Sequence, residues 1–368
     1  MFLFKGQRDQ LLLPLQAVCG IVEKRHTLPI LSNVLLQKQG SALTLLATDI
    51  EIQITTSTAS GDGNETTAVT VAARKLQDIL RSLPDSAEVS LDLDDRRLQL
   101  KAGKSRFNLQ TLPAEDFPRM TVAEGQSTKF VLTRAQMKRL ISLVQYGMAQ
   151  QDIRYYLNGL LLVAKGSELF VVATDGHRLA YASETMPEPL IPIEVILPRK
   201  TVLELARQLA DSDDPLEIIL TPTQARFRFA NVELVSKLID GKFPDYERVI
   251  PRNHPKIITL NRQLLLQSLH RAAILTNEKF RGVRLVLAPD SLKIISSNAD
   301  QEEAQEELEI SYAAEPLDIG FNVTYLVDVL NNVSTDTIEL RLADANSSAL
   351  IQLPNNEQFK YVVMPMRI

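Results

Sequence analysis

The sequence predicts an α+β protein in which one domain, arranged as helix, strands, helix, strands, occurs three times. Three observations lead to this prediction. Short landmarks recur roughly 125 residues apart, helical and strand-like hydrophobic periods alternate within each copy, and a chain of 368 residues is long for a single core. We place the three domains at residues 1–126, 127–254 and 255–368.

The clearest landmark of the repeat is an apolar strand that ends in Asp or Asn. It reads LTLLATD at 43–49, LFVVATD at 169–175 and LKIISSN at 292–298, with spacings of 126 and 123 residues. A second landmark is a Phe-Pro pair, in which Pro118 and Pro244 are also 126 residues apart. Because independent landmarks share one spacing, we infer a duplicated domain.

Each copy opens with an amphipathic helix. In TRAQMKRLISLVQY (133–146), Met137, Leu140, Ile141 and Val144 fall at i, i+3, i+4 and i+7 and form one apolar stripe. Alternating strands with turn signals follow, then a second helix and further strands. Six helical segments are predicted in all: 8–25, 72–82, 133–146, 198–209, 261–274 and 322–333.

The stretch VATDGHRLA brings a carboxylate, an imidazole and a guanidinium close together in sequence. Asp175 and Gly176 are a turn signal, and an Asp also ends the strand in the first copy, so the carboxylate is expected to serve the turn. His177 and Arg178 occur in the second copy only, which indicates a surface feature peculiar to that domain. The alternatives are a plain turn and a nucleophile or metal site.

Motifs for catalysis and cofactor binding are missing from the sequence. It contains no HExxH, CxxC, Walker A or GxGxxG pattern, and nothing near residue 177 fixes the third group that a catalytic triad needs. We therefore expect no catalytic residue, no metal and no cofactor. A nuclease would need clustered carboxylates for a metal, and the 302–309 glutamates lack the mixed spacing of such a site.

Positive charge is concentrated in the helical segments. The six segments carry a net charge of +9, whereas the whole chain carries −5 and the remainder therefore −14. Solvated helix faces are the ordinary explanation, but five basic segments in equivalent places form a stronger pattern. If the helices line a concave surface, that surface attracts a polyanion without reading its sequence. A protein that reads bases would instead need a recognition helix distinct from its repeats.

Opposite charges also mark the first and the third domain. LQLKAGKSRFNLQ (98–110) is a basic strand pattern, and DQEEAQEELE (300–309) is an acidic run. The acidic run could be no more than a solvated strand or loop. Together the two segments suggest head-to-tail association, which closes into a ring when the rotation allows it.

The cysteine count and the hydropathy favour a cytoplasmic protein. Cys19 is the single cysteine, so no intrachain disulfide can form. No stretch approaches 18 consecutive apolar residues, and the N-terminal segment lacks the features of a secretory signal. We expect no contact with a membrane.

Longer motifs along nearly the whole chain resemble the bacterial DNA polymerase III beta subunit family, the sliding clamps. They are TLPIL (27–31), QDIRYYLNG (151–159), VATDGHRLA (172–180), SKLIDGKFPDY (236–246), AAILTNEKFRGVRL (272–285), IGFNVTYLVDVLN (319–331) and YVVMPMRI (361–368). The last motif ends in Ile368, where the family pattern has Leu, and this apolar change should be mild.

The resemblance implies a DNA clamp fold and a head-to-tail homodimer. The ring would have six domains, with the sheets outside and the helices around a hole that accommodates double-stranded DNA. It would bind DNA without sequence specificity and confer processivity by tethering the replicative polymerase and other replication and repair proteins. It would catalyse no reaction itself. The implied partners are the polymerase alpha subunit, the clamp loader delta subunit and other proteins that carry a clamp-binding motif.

The resemblance also implies three groups of site residues. The partner-peptide pocket would comprise Leu157, Thr174, Gly176, His177, Arg178, Leu179, Pro244, Arg248, Val249, Asn322, Tyr325, Ser348, Val362, Val363, Met364, Pro365, Met366 and Arg367. DNA would be contacted by Arg25, Gln151, Arg154, Tyr155 and Tyr156. The dimer interface would comprise Lys104, Arg106, Phe107 and Leu109 on one side and Ile274, Leu275, Glu302, Glu303 and Glu306 on the other. Without the family, Tyr155 and Tyr156 could equally be core aromatics.

Overall fold

The computed structural model describes residues 1–23, 28–61, 66–123 and 125–368. Six α-helices lie in these residues, and each begins within one residue of a predicted helical segment. They are α1 (Arg8–Cys19), α2 (Ala73–Ser82), α3 (Arg134–Val144), α4 (Arg199–Gln208), α5 (Arg262–Ala273) and α6 (Val323–Asn332). The predicted α+β class, with two helices per copy, is confirmed. Each copy opens with a strand and not with a helix, however, because Phe2–Gln7, Thr128–Thr133 and Lys256–Asn261 precede the first helices.

Twenty-two strands are found in the described residues, and every pairing between them is antiparallel. They are β1 (Phe2–Gln7), β2 (Asn33–Gln39), β3 (Ala42–Thr48), β4 (Ile52–Ala59), β5 (Thr66–Ala72), β6 (Glu88–Asp94), β7 (Arg97–Ala102), β8 (Ser105–Pro113), β9 (Thr128–Thr133), β10 (Gly159–Thr174), β11 (Arg178–Pro198), β12 (Pro215–Leu220), β13 (Gln224–Phe229), β14 (Val232–Lys237), β15 (Lys256–Asn261), β16 (Gly282–Ala288), β17 (Ser291–Ser297), β18 (Glu303–Glu309), β19 (Leu317–Asn322), β20 (Thr337–Leu342), β21 (Ala349–Leu353) and β22 (Asn356–Val363).

The first compact unit consists of residues 1–135 and 203–238. It contains one sheet of twelve strands in the order β1-β6-β7-β8-β5-β2-β3-β4-β14-β13-β12-β9. Helices α1 and α2 pack together, and Leu11, Leu15, Leu76 and Leu80 on their facing sides have no exposed surface. The periodic apolar stripes of these two helices therefore form part of the core of this unit.

The second compact unit consists of residues 136–202 and 239–368. Its six-stranded sheet has the order β10-β11-β22-β21-β20-β15, and its four-stranded sheet has the order β18-β17-β16-β19. Helices α5 and α6 pack together through buried residues that include Leu269, Val329 and Leu330. Asn261 and Asn322 begin these helices as N-caps, because their side chains accept hydrogen bonds from Leu264 N and Thr324 N.

Two details test the helix predictions. The predicted stripe of α3 is confirmed, because Met137, Leu140, Ile141 and Val144 are completely buried. The prediction for α1 was too long, since the helix ends at Cys19 rather than near residue 25. After it, Val22 is buried in a non-helical segment, where its carbonyl accepts a hydrogen bond from Arg74 Nη2 at 2.6 Å. In the part of the chain that is described, no helix is both long and apolar enough to cross a membrane.

Candidate functional site

A tight turn between β10 and β11 carries the His177 and Arg178 side chains. The Asp175 Oδ1 atom accepts hydrogen bonds from the backbone amides of His177 at 2.9 Å and Arg178 at 3.1 Å. The Thr174 hydroxyl donates to the Arg178 carbonyl at 2.6 Å and accepts from the amide of Gly176, whose φ is +89°. Glycine suits this position because a side chain is strained at positive φ.

The same turn is built in the first copy of the domain. There Asp49 Oδ1 accepts from the amides of Glu51 at 3.0 Å and Ile52 at 2.8 Å, and the Thr48 hydroxyl donates to the Ile52 carbonyl. In the third copy, Asn298 Oδ1 accepts from two amides of the following turn. The Asp therefore belongs to the turn, as expected, and its Oδ1 atom orients the backbone and not an imidazole.

Arg178 is turned into the second unit rather than toward solvent. Its side chain is 10% exposed, and it donates from Nη1 to Asp328 Oδ2 at 2.6 Å and from Nη2 to the Tyr146 carbonyl at 2.6 Å. Its Nε donates to Asp175 Oδ2 at 3.1 Å, and its guanidinium lies 4.4 Å from the centre of the Tyr325 ring. The arginine thus ties the turn to α6 through Asp328 and Tyr325.

The C-terminal strand forms a second wall beside the turn. Strand β22 pairs with β11 so that Val363 lies opposite Arg178 and Val362 opposite Leu179. The pairing continues past the strand, because the Met364 amide donates to the His177 carbonyl at 2.9 Å. The conformation of the turn therefore sets the position of the C-terminal segment.

The tail beyond Met364 is fixed to β19. The Met366 amide donates to the Gly320 carbonyl at 2.8 Å, and the Ile368 side chain covers Gly282 and Gly320. A β-carbon at Gly320 would lie 2.5 Å from the Met366 carbonyl oxygen, so a side chain at this position would displace the tail. The change from Leu to Ile at the last residue keeps this apolar contact.

An apolar floor lies beneath the turn and the C-terminal strand. Leu157, Leu179 and Val362 belong to one buried cluster of the second unit, and Phe243 joins it from the chain after β14. At the rim, the Val249 side chain is 46% exposed and Met364 is 48% exposed. An apolar floor with an exposed methionine at its edge is suited to hold apolar side chains of a peptide.

Most of the residues predicted for the peptide pocket lie in this region of the second unit. Tyr325 and Asn322 are on α6 and at its N-cap, and the Ser348 carbonyl accepts from His254 at 2.7 Å beside β21. Pro244 and Arg248 are exposed, the latter in an ion pair with Asp245 at 2.8 Å. The remaining members are half-buried or exposed along the tail: Pro365, Met366 and Arg367.

Arg154, one of the residues predicted to contact DNA, lies against the turn. Arg154 donates from Nε and Nη2 to the Asp152 carboxylate at 3.0 and 2.8 Å, and from Nη2 to the Asp175 carbonyl at 3.2 Å. These contacts lower the pKa of Asp152 to about 2, chiefly through the hydrogen bond from the Arg154 side chain. Tyr155 is 58% exposed and meets Tyr156 edge to face at 5.7 Å.

Of the other DNA candidates, Gln151 is exposed with a φ of +56°, and Arg25 lies outside the described residues. Tyr156 is half-buried against the apolar floor. Tyr156 is therefore partly a core aromatic, whereas more than half of the Tyr155 surface is exposed. The hydrogen bond from Arg154 to the Asp175 carbonyl connects the segment at residues 151–156 to the turn.

The residues predicted for the dimer interface lie on edges of two sheets. In the described part of the chain, β8 pairs with β5 only through Thr111–Pro113, so Ser105–Gln110 pair with β7 alone. Strand β18 is the last strand of the four-stranded sheet and pairs with β17 alone. An unpaired strand edge can accept a strand from another molecule.

Charge and exposure distinguish these two edges. On the first, Lys104 and Arg106 are exposed and Phe107 and Leu109 are half-buried. On the second, Glu302 and Glu303 are exposed, and Glu306 accepts from Arg271 Nε at 2.8 Å. Beside them, Ile274 is 77% exposed and Leu275 is half-buried. The edges thus carry opposite charge with apolar side chains next to it.

The equivalent of the pocket in the first unit is narrowed by the chain itself. Lys237 N donates to the Glu51 carbonyl at 2.9 Å, in the way that Met364 N donates to His177. Gln53 stands where the pocket has Leu179, and its Oε1 atom accepts from the Met120 amide at 2.8 Å. The backbone scaffold is repeated, but polar side chains and the segment at residues 118–121 leave a cavity of only about 230 Å³ there.

Sequence reasoning missed the partners of Arg178 and the acid that holds Arg154. Asp328 is 150 residues from Arg178, and no local pattern indicates that they meet. Asp152 could have been suspected from its position two residues before Arg154, because such spacing allows a local ion pair. In the residues that are described, no group of three or more His, Cys, Asp or Glu side chains is arranged to hold a metal ion.

Comparison with known families gives three consecutive matches. The family model for the DNA polymerase III beta subunit N-terminal domain matches residues 2–121, the model for its central domain matches 131–245, and the model for its C-terminal domain matches 247–367.

Similar proteins and solved structures cover the whole chain. The beta sliding clamp of Pseudomonas putida is 48% identical over 367 residues, which are 99% of this chain and 100% of that protein. The beta sliding clamp of Escherichia coli strain K12 is 45% identical over 365 residues, with the same coverage. The crystal structure of the DNA polymerase III subunit beta from Pseudomonas aeruginosa has a TM-score of 0.96 and 46% sequence identity, and the match covers 100% of both chains. Another structure of that clamp, bound to griselimycin, has a TM-score of 0.95 and 47% identity over the full length of both chains.

Proposed function

The chain belongs to the DNA polymerase III beta subunit family and is a non-catalytic DNA sliding clamp, and from this premise we propose that it works as a head-to-tail homodimer whose ring encircles double-stranded DNA. Each chain contributes three clamp domains, at residues 1–126, 127–254 and 255–368. A turn closed by hydrogen bonds to the side chain of Asp49, Asp175 or Asn298 recurs in each copy, one residue longer at Asn298, and supports three copies of one domain.

The observation that carries the ring proposal is the pair of oppositely charged strand edges. The basic edge of β8 and the acidic edge of β18 can pair across two molecules, since each lacks a neighbour on one side within the described residues. Two such head-to-tail contacts between two identical chains close a ring and leave neither strand edge unpaired. The charges fix the orientation of the contact, and Phe107, Leu109, Ile274 and Leu275 supply apolar surface.

Positive helices support an inner surface that faces DNA. Within the six helices there are twelve Lys and Arg residues against four Asp and Glu, a net charge of +8 in a chain of net −5. Such a surface holds the phosphate backbone by charge and reads no bases. Arg25, Gln151, Arg154, Tyr155 and Tyr156 would add contacts beside the helices.

The apolar floor of the second unit is the place where partners would bind. We assign it to the clamp-binding motifs of the replicative polymerase alpha subunit, the clamp loader delta subunit and other replication and repair proteins. The apolar cluster, the exposed Met364 and the adjacent exposed backbone of the turn suit a short peptide with apolar anchors. Its affinity should be on the order of micromolar. We place the protein in the cytoplasm, where replication occurs in bacteria.

The ring is tested by topology. The protein is loaded by a clamp loader onto a nicked circular plasmid, separated from free protein, and then exposed to a restriction enzyme that linearises the DNA. A ring is retained on the circle at about 0.15 M salt and is lost after linearisation, because it slides off the ends. Retention on linear DNA with open ends contradicts encirclement. Light scattering after size-exclusion chromatography must also give the mass of two chains.

A further inference from the structure

A second cleft lies on the six-stranded sheet, next to the proposed peptide pocket. It has a volume of about 900 Å³ and is lined by β10, β11, β20, β21, β22 and the segment at residues 246–254. A cavity of this size is in the range of sites that hold ligands. Every lining residue belongs to the second unit.

The register of the sheet fixes the distance between the cleft and the pocket. Leu179 pairs with Val362 in the pocket, and two residues along the same strands Tyr181 pairs with Lys360 in the cleft. Two residues of a strand span about 7 Å, and residues two apart point to the same face. A chain that crosses the pocket therefore reaches the cleft within a few residues.

The aromatic wall of the cleft is preformed. Phe170, Tyr181 and Tyr246 surround one another with ring-centre distances of 5.8, 6.0 and 6.3 Å. The Lys360 ammonium lies 5.3 Å from the centre of the Tyr181 ring. Rings in mutual contact leave no space for a group between them, so they offer an apolar surface on which a side chain can pack.

A buried amide lies in the same lining. Gln352 is 7% exposed, and its Oε1 atom is buried without a hydrogen-bond partner among the described residues. In the sheet it is paired with Lys360 on one side and Glu339 on the other. An unsatisfied buried carbonyl costs stability, which a ligand that supplies an N–H donor would restore.

The charges around the cleft distinguish peptide from nucleic acid. Lys165, Arg252 and Lys360 are balanced by Glu168, Glu247 and Glu357, and the fourth cation, Arg341, is paired with Glu339 at 2.7 Å. A polyanion gains affinity from an excess of positive charge, which is missing here. A polypeptide has N–H donors, apolar side chains and charges of either sign, so it matches all three features.

We propose that this cleft binds the polypeptide that flanks the clamp-binding motif of the replicative polymerase alpha subunit. This inference rests on the proposed function, because it takes the motif itself to occupy the neighbouring pocket. The flanking segment leaves the pocket around the turn at Tyr246–Arg248 and packs an apolar side chain on the aromatic wall. It donates an N–H group to the Gln352 amide oxygen, which becomes accessible when the Gln352 side chain turns toward the cleft. Its charged residues contact the positive and negative side chains at the rim of the cleft.

Two variants test the cleft, with a matched control. Gln352→Met removes the amide but keeps the length of the side chain. Arg252→Glu reverses one charge at the rim of the cleft. Arg96→Glu makes the same charge reversal at an exposed position of the first unit. Each full-length variant is titrated with the intact alpha subunit and with a short synthetic peptide that contains only its clamp-binding motif.

We expect both cleft variants to bind the intact subunit about tenfold more weakly and the short peptide within twofold of the unchanged protein, with Arg96→Glu unaffected. Gln352→Met should also raise the melting temperature of the free protein, because an unsatisfied buried oxygen is removed. If Gln352 had a purely structural role, the Gln352→Met change would instead lower the melting temperature.

Other results would overturn the inference. If both variants bind the intact subunit as tightly as the unchanged protein, the cleft is not used. If they lose the short peptide equally, the effect is transmitted to the pocket. If a labelled oligo(dT) strand binds the unchanged protein and loses affinity on Gln352→Met, the cleft takes nucleic acid. Failure of the short peptide to bind the unchanged protein would contradict the proposed function instead.

Discussion

Replacing Arg178 by methionine tests whether its buried guanidinium holds the turn and the C-terminal strand in place. The side chain is 10% exposed and makes hydrogen bonds of 2.6, 2.6 and 3.1 Å to Asp328, the Tyr146 carbonyl and Asp175. Removing one partner of a buried ion pair costs about 3–5 kcal/mol. Since the Asp328 side chain is 30% exposed and water recovers part of this loss, we expect about 2–4 kcal/mol.

Hydrogen exchange measures this cost locally, which suits a chain with more than one compact unit. The amides to follow are Met364, which donates to His177, and those that pair β11 with β22. A loss of about 2–4 kcal/mol in opening free energy makes these amides exchange ~30-fold to ~900-fold faster. The affinity for the short motif peptide should fall with it, because the pocket wall is then displaced.

Arg248→Met is the matched control for this experiment. Arg248 also has an aspartate partner, Asp245 at 2.8 Å, but its side chain is 87% exposed. An exposed pair contributes little, so exchange of the same amides should not change. An Arg178→Met variant that accelerates their exchange less than threefold would refute the reasoning. So would a double variant with Asp328→Leu in which the effects of the two changes simply add, since the paired groups must be coupled.

Three further predictions concern the interface, the loop and the tail. Arg106→Glu should raise the monomer fraction in sedimentation experiments, and adding Glu303→Arg should restore the dimer; a dimer unaffected by either change would argue against the strand-edge contact. The Arg154→Ala change should raise the pKa of Asp152, measured by NMR titration, from about 2 toward its ordinary value near 3.8. Because this pKa is depressed, the ion pair stabilises the loop above pH 3.8 and is lost as the pH falls toward 2, and an unchanged titration would rule out the arginine as the cause. Deleting residues 364–368 should abolish binding of the motif peptide while light scattering still reports two chains, and retained peptide binding would contradict the assigned pocket.

The sequence predicted the features that depend on local pattern. The stripe of α3 and the turn at Asp175 follow from spacing and turn chemistry over a few residues, and both were confirmed. The predicted end of α1 was wrong: the helix ends at Cys19, before Gly20, and Val22 beyond it accepts a hydrogen bond from Arg74 on another helix. Helix periodicity cannot report a contact with a residue 52 positions away.

The environment of the site was less accessible to sequence reasoning. Arg178 was expected at the wall of a pocket, but its burial depends on Asp328 and Tyr146, which the fold brings together from distant positions. The unsatisfied amide of Gln352 has no sequence signal at all, since a glutamine in a strand is ordinary until its surroundings are known. Such properties arise from packing and not from residue type.

In the clamp that we propose, the narrow site near Gln53 would limit how many partner proteins one chain can bind. Duplication of the domain also duplicated the backbone of the pocket, yet Met120 N already occupies the acceptor on Gln53 at 2.8 Å. The dimer that we propose would then offer two peptide sites instead of four. A second partner protein would have to wait until the first dissociates or bind the site on the other chain, so the residence time of each protein would decide which one works at the DNA.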